Sequence, residues 1–329
     1  MSFSPIHPAA AIEGGRIIVE GSDFAVDDDV LPGARIGNIP ARISFASKAR
    51  LILIVPSGLE RGDHRVHVDA AGDVGLVRVA GSFATGLHQV DNPVFDVAGN
   101  LYVTYSGSRG QQVPVSIFRV RPNGTRESFS SGIVNPTSMA VDPQGRLYVS
   151  SRFEGNVYRV AEDGSVETFA SDLGVACGLA FAPDGTLFVG DRSGTIFTVG
   201  ADGHATTLAS LPPSVAAFHL AYGPAGGAPE TQALYVTGPT LSPYDVLYRI
   251  DRNGTVTTRH AAFGRPQGLA FDGDGALHVV EALAGVSGLY KISDGADPEL
   301  VLSGPGLVGV AFDGAGGLVV TSNETAYRM

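Results

Sequence analysis

A short phrase returns six times along this chain: a turn, in most copies closed by glycine, then an apolar strand centred on leucine. The copies are Gly99-Asn100-Leu101-Tyr102-Val103, Gly145-Arg146-Leu147-Tyr148-Val149, Gly185-Thr186-Leu187-Phe188-Val189, Ala233-Leu234-Tyr235-Val236, Gly275-Ala276-Leu277-His278-Val279 and Gly317-Leu318-Val319-Val320. Their leucines stand 40 to 47 residues apart. Several short strands in a period of roughly 40–50 residues is the pattern of a β-propeller blade. The expected fold is therefore all-β, with a six-bladed β-propeller as its main body. Such a fold gathers one short loop from every blade around a central axis, so function is expected there.

Each repeat carries further strands in a fixed order. The first strand reads Ser138-Met139-Ala140-Val141-Asp142, Gly268-Leu269-Ala270-Phe271-Asp272 or a close variant. The third reads Val157-Tyr158-Arg159-Val160 or Leu247-Tyr248-Arg249-Ile250. Aromatics and arginine alternate there with aliphatics, so one face packs between sheets and the other reaches outward. It ends in Asn123-Gly124, Asp163-Gly164, Asp202-Gly203, Asn253-Gly254 or Asp294-Gly295. Such pairs supply the positive φ angles of two-residue hairpins. The sixth copy stops at Ala326-Tyr327-Arg328-Met329, its third strand. The stretch Leu76-Val77-Arg78-Val79-Ala80, followed by Thr85-Gly86-Leu87, has the pattern of the missing fourth strand. A strand from the N-terminal side is thus expected to complete the last blade and close the ring, removing two sheet edges that invite aggregation. The alternative is a plain linker.

Residues 1–74 lack the repeat. Segments such as Gly15-Arg16-Ile17-Ile18-Val19, Ala41-Arg42-Ile43-Ser44-Phe45, Leu51-Ile52-Leu53-Ile54-Val55-Pro56 and Arg65-Val66-His67-Val68 are separated by Gly, Pro and Asp. They predict a small immunoglobulin-like β-sandwich ahead of the propeller. The expected division is 1–74 for the sandwich and 75–329 for the propeller. The order Gly14-Gly15, Gly21-Ser22-Asp23-Phe24, Val55-Pro56-Ser57-Gly58 and Val66-His67-Val68 resembles an IPT/TIG domain. That resemblance implies a spacer or a protein-contact module.

Hydrophobic residues make up 44% of the 329 and charged residues 17%, enough to bury a core. The 44 glycines and 20 prolines are spread between strands, as many tight turns require. A net charge of −11 argues against nucleic acid or an anionic membrane as partner. No apolar run approaches the roughly 20 residues that cross a bilayer as a helix. The opening Met1-Ser2-Phe3-Ser4-Pro5 has no basic and apolar leader pattern, and a cytoplasmic location is expected. The single cysteine, Cys177, excludes an intrachain disulfide.

In a propeller, the loop into each first strand and the loop out of each second strand share one face. This collects Asp91-Asn92, Thr137-Ser138, Cys177, Phe218-His219, Gln267 and Val308 with Arg109, Arg152, Asp191-Arg192 and Glu281. Arg109, Arg152 and Arg192 on one face of an acidic protein suit a carboxylate or phosphate ligand. Asp191, Asn92 and Gln267 are expected to help bind it. Alternatively, each arginine pairs with Glu154, Asp191 or a backbone carbonyl. His219 and His88 are candidates for proton transfer, or else buried histidines bonded to backbone. Glu281, at the end of a buried strand, must be paired, protonated or bound to a cation. It joins the catalytic candidates, and with Asp91 it could hold a divalent metal, calcium or zinc. Cys177 reads as a nucleophile only with a nearby histidine, and otherwise as a small buried hydrophobe. His260 and His278 read as structural.

Asp91-Asn92-Pro93-Val94-Phe95-Asp96, Gly178-Leu179-Ala180-Phe181 and Pro266-Gln267-Gly268-Leu269-Ala270-Phe271-Asp272 give residues 75–329 a family resemblance. They resemble phrases of the SMP-30/gluconolactonase/LRE-like and NHL-repeat group of propellers. The resemblance implies a lactonase or related hydrolase with an axial divalent metal. Its Glu, two Asn and Asp ligand positions fall on Asp91, Cys177, Thr137 or Phe218, and Gln267. Only Asp91 keeps a charged oxygen there. The expected function is a lactonase-type hydrolase or a lyase acting on a small anionic or sugar-derived substrate. Arg109, Arg152 and Arg192 would bind the substrate, His219 or His88 would move the proton, and Asp91 and Glu281 would orient them or hold a metal. The alternative is a non-catalytic propeller that binds a ligand or protein, with the N-terminal domain mediating assembly.

Overall fold

The computed structural model describes residues 5–26, 31–224, 231–282 and 287–329; residues 1–4, read above for a leader, lie outside them. The described secondary structure is all strand. It forms the β-propeller architecture that the repeat predicts. Four antiparallel four-stranded sheets follow one another over residues 94–130, 136–170, 176–210 and 219–263. A fifth set spans 266–303 within a larger sheet, and a sixth begins at Leu307–Phe312.

The repeated leucine lies at the start of each second strand, buried in the first five copies and partly buried in the sixth, and the residue after it packs on the next sheet. Tyr148 meets Phe181 edge-on at 4.9 Å, Phe188 stacks on Tyr222 at 5.3 Å, and Tyr235 meets Phe271 at 5.4 Å. His278 occupies the same place in the fifth sheet and packs on Phe312 at 5.0 Å. The turn before the phrase has a local cause. The Asp142 carboxylate accepts N–H bonds from Gln144 and Arg146, both 2.9 Å, while Gly145 sits at φ 82°. Asp96, Asp272 and Asp313 repeat this Asx arrangement.

The later turns correct the two-residue hairpin expectation. In Asn123-Gly124 only the glycine has positive φ, at 87°. Gly124 N–H donates to the Arg121 carbonyl, and Arg121 N–H to that of Thr125. This is a three-residue loop with a glycine bulge.

The last sheet takes its outer strand from the N-terminal side, but not the strand expected. Gly81–Thr85 pairs antiparallel with Thr325–Arg328, setting Ala84 opposite Ala326. Leu76–Val79 belongs instead to Gly72–Val79, which pairs with Gly62–Val68. Both stretches alternate apolar and polar residues, so their pattern alone does not decide which edge each one meets.

The N-terminal residues form two sheets over one apolar core that includes Ile17, Leu51, Leu53, Val66 and Val77. Ala10–Ala11 lies parallel between Glu299–Ser303 and Gly72–Val79, so one nine-stranded sheet runs from the fifth propeller sheet into the N-terminal region. Ala11 faces the N-terminal core, and Ile12 packs with Leu289, Leu302 and Leu307. Gly15 allows this approach, because a Cβ there would stand 2.5 Å from the Ser303 carbonyl oxygen.

His278 makes stability depend on pH. Burial pushes its pKa below the usual 6.5, as it does for His88 and His260. Above the unfolded value these rings are neutral in both states, and their native burial costs nothing in protonation. As pH falls from about 6.5 toward the lower folded values, the unfolded chain takes up protons first and stability is lost. Tyrosine stands at the matching place in the first sheet, where Tyr102 bonds the Asp96 carboxylate at 3.1 Å. Asp272 lies 3.8 Å from His278, in the same relation. His278→Tyr is therefore expected to flatten the decline in Tm between pH 7 and pH 5, measured by thermal melts across that range.

Candidate functional site

The loops expected on the axis do meet there. They enclose a cavity of about 370 Å³. Arg109, Arg152 and Arg192 come to it from the first three sheets, and Cys177 and Gln267 from the first strands of the third and fifth. Val215, Ala216, Ala217 and Val308 line it from the fourth and sixth. The described lining contains no Asp or Glu.

None of the three arginines has a carboxylate within ion-pair distance among the described residues. The alternative partners are engaged elsewhere. Asp191 accepts the Val175 N–H at 2.7 Å and the Ser193 hydroxyl, tying its own loop. Glu154 faces the Val134 N–H. Arg152 is half-buried, and among the described residues its side chain makes one long hydrogen bond, 3.3 Å, to the Ser106 hydroxyl. Burial, and then the like charges of Arg192 and Arg109, push its pKa down, opposed by Cys177. A guanidinium stays charged despite such a shift. The cavity wall thus holds cations whose charge is not neutralised by any ion pair among the described residues.

Asn135 shapes the loop that carries Arg109. It sits at φ 48°, donates its amide to the carbonyls of Ser106 and Ser108, and accepts from Gly110 N–H at 2.6 Å. The sequence signal was present, an Asn before Pro136 in an inner loop, but its partners lie on another sheet. Gln89 and Asn323 also line the cavity with their amides already engaged. Gln89 bonds the Asp91 carbonyl and Thr104, and Asn323 bonds the Gln89 carbonyl. Gln267 also lines the cavity.

Asp91 and His219 form the deepest polar contact of the axis. Oδ1 of Asp91 lies 2.6 Å from Nδ1 of His219, and both residues are almost fully buried. Asp91 precedes the first sheet and His219 opens the fourth, so the bond joins elements far apart in the ring. Nε2 of His219 is buried with no hydrogen-bond partner. Neither residue is among those lining the cavity, although Ala217 and Cys177 beside them are. His88 is half-buried. Burial and then Arg152 push its pKa down, with Glu324 opposing.

Several expectations are corrected. Glu281 is paired, but away from the axis: its carboxylate caps the Gly264 and Arg265 N–H groups at 2.7 and 2.8 Å. It is not among the residues that line the cavity. Glu281→Ala is expected to cost about 2 kcal/mol in urea unfolding by stranding those two amides, while anion binding in the cavity is kept. Asp191 is a loop tie, as above. Asn92 bonds the Leu269 carbonyl and the Val310 N–H, holding the ring together.

The resemblance implies an axial calcium or zinc, and the donors present do not fit one. Asp91 is engaged by His219, and Thr137 donates to the Asn135 carbonyl. Burial pushes the Cys177 thiol up to about 12, and a lone sulfur is a soft donor that a hard cation such as calcium does not favour. Hard cations need several oxygen donors. Among the described residues, no group of three or more His, Cys, Asp or Glu side chains is placed to hold a metal.

No protein-family model matches the chain, and no curated protein matches it. Solved structures do. An auxiliary nutrient binding protein from Bacteroides ovatus superposes with a TM-score of 0.56 at 14% identity, over 99% of this chain and 97% of that one. A gluconolactonase from Xanthomonas campestris gives 0.60 at 18%, over 90% and 96%. A catalytically inactive histidine-to-alanine variant of virginiamycin B lyase from Staphylococcus aureus, with quinupristin, gives 0.54 at 13%, over 95% and 98%. At these identities the likeness is one of fold: the chain is built as a β-propeller similar to those of gluconolactonase-like proteins and virginiamycin B lyase.

Proposed function

We propose that this protein binds a small anionic ligand, a carboxylate or phosphate, in the axial cavity. The observation that carries this reading is three arginines around one cavity with no carboxylate to neutralise them among the described residues. Leaving Arg152 half-desolvated beside two like charges costs stability, and an anion held by bidentate contacts offsets that cost. We read the six sheets as six blades and the N-terminal two-sheet sandwich as the IPT/TIG-like contact module. The full-length likeness to an auxiliary nutrient binding protein supports a binding role. The test is a titration of inorganic phosphate and acetate followed by amide NMR shifts. Saturable shifts confined to cavity residues and weakened by salt are the expected result. No shift up to high millimolar concentration overturns the reading.

A second reading, lactonase- or lyase-type catalysis, is favoured by one observation. Asp91 fixes the His219 ring from Nδ1 and leaves Nε2 unpaired, as in a base oriented by a carboxylate. A lactone and ester turnover screen with His219→Gln as control decides it. Turnover lost in the variant supports catalysis, and no turnover leaves the binding reading alone.

A further inference from the structure

The two walls of the cavity differ in chemistry. Arg109, Arg152 and Arg192 approach from the first three sheets, and the facing residues Val215, Ala216, Ala217 and Val308 are apolar. Val215 is 45% exposed at the mouth, and Phe153, beside Arg152, is 52% exposed. Exposed large apolar side chains at a cavity mouth mark a surface that an apolar group covers.

The polar groups of the cavity are also few once their bonds are assigned. The Gln89, Asn135 and Asn323 amides bond within the protein. Apart from the arginines, Gln267 is the lining side-chain amide with no such bond among the described residues. A polyhydroxylated body needs a partner for each hydroxyl it buries, because an unpaired one is costly. Beyond the N–H groups of the arginines, the described lining offers few free side-chain partners for them.

Resting on the anion-binding reading, we infer that the ligand is an amphipathic anion. Its carboxylate or phosphate lies on the arginine wall, and its aromatic or branched aliphatic body lies against Val215, Ala217 and Val308. The sugar-derived substrate expected from the sequence is the poorer fit.

Three monocarboxylates of equal charge test this by NMR or calorimetric titration: acetate, gluconate and benzoate. Benzoate is expected to bind at least about tenfold tighter than either of the others, the factor that burying roughly 60 Å² of apolar surface is worth. Val215→Ser is expected to narrow the ratio of benzoate to acetate affinity, and Arg152→Gln to weaken all three. If acetate and benzoate bind equally and both depend on Arg152, the amphipathic inference falls and the anion site stands. Gluconate binding tightest also overturns it. If none of the three binds, the anion-site reading itself falls.

Discussion

Arg152→Gln should weaken the binding of inorganic phosphate or benzoate by about tenfold to a hundredfold. A charged hydrogen-bond partner is worth roughly 1.5–3 kcal/mol, and 1.4 kcal/mol is a factor of ten. Arg152 is the arginine to choose because it is the most enclosed of the three. Arg109 and Arg192 are exposed, where solvent and salt screen their attraction for an anion. The expected stability effect has the opposite sign. Burial and the like charges of Arg109 and Arg192 already oppose the charged form of Arg152. Its long bond to Ser106 returns little. A neutral glutamine relieves both penalties, so Tm should hold or rise without ligand. Ligand should then raise Tm less in the variant than in the parent. A structural arginine would behave otherwise: its loss would lower Tm and leave affinity alone. Calorimetry and thermal melts on the same two proteins separate the cases.

How far the sequence foretold this differs from residue to residue. The leucine phrase marks every second strand because it is set by local causes, an Asx turn in four of the copies and one leucine packed into the core in each. Arg109, Arg152 and Arg192 could be placed on one face because the repeat gives a register for inner loops. Their lack of carboxylate partners could not be read, since Asp191 and Glu154 follow the same register and differ only in where their side chains turn. Glu281 shows the same limit. Its burial was legible at the end of an apolar strand, but the amides it caps belong to Gly264 and Arg265, in the bend that leads into the preceding strand. The closing strand was misplaced by a few residues because Leu76–Val79 and Gly81–Thr85 share one alternation. Asp91 and His219 were both named, yet nothing in the chain between them announces that they bond.

That bond gives the largest expected change in stability. Asp91→Ala should cost about 3 kcal/mol or more in urea unfolding, because removing one partner of a buried ionisable pair strands the other. His219 would lose its Nδ1 partner while Nε2 already has none. The ring would then be buried at 0% exposure with no hydrogen bond. The alanine also opens a void where the carboxylate stood. Asp91→Asn keeps the shape and one acceptor oxygen for Nδ1–H, so its cost should be clearly smaller. A double variant, Asp91→Ala with His219→Phe, should recover part of the loss, since both polar groups leave together. If the pair serves only to hold the ring, phosphate affinity corrected for folded fraction should be unchanged in Asp91→Asn. If the aspartate orients His219 toward a bound ligand, affinity or turnover falls in that variant although the fold is kept. An Asp91→Ala protein as stable as the parent would show that the contact contributes nothing across the ring.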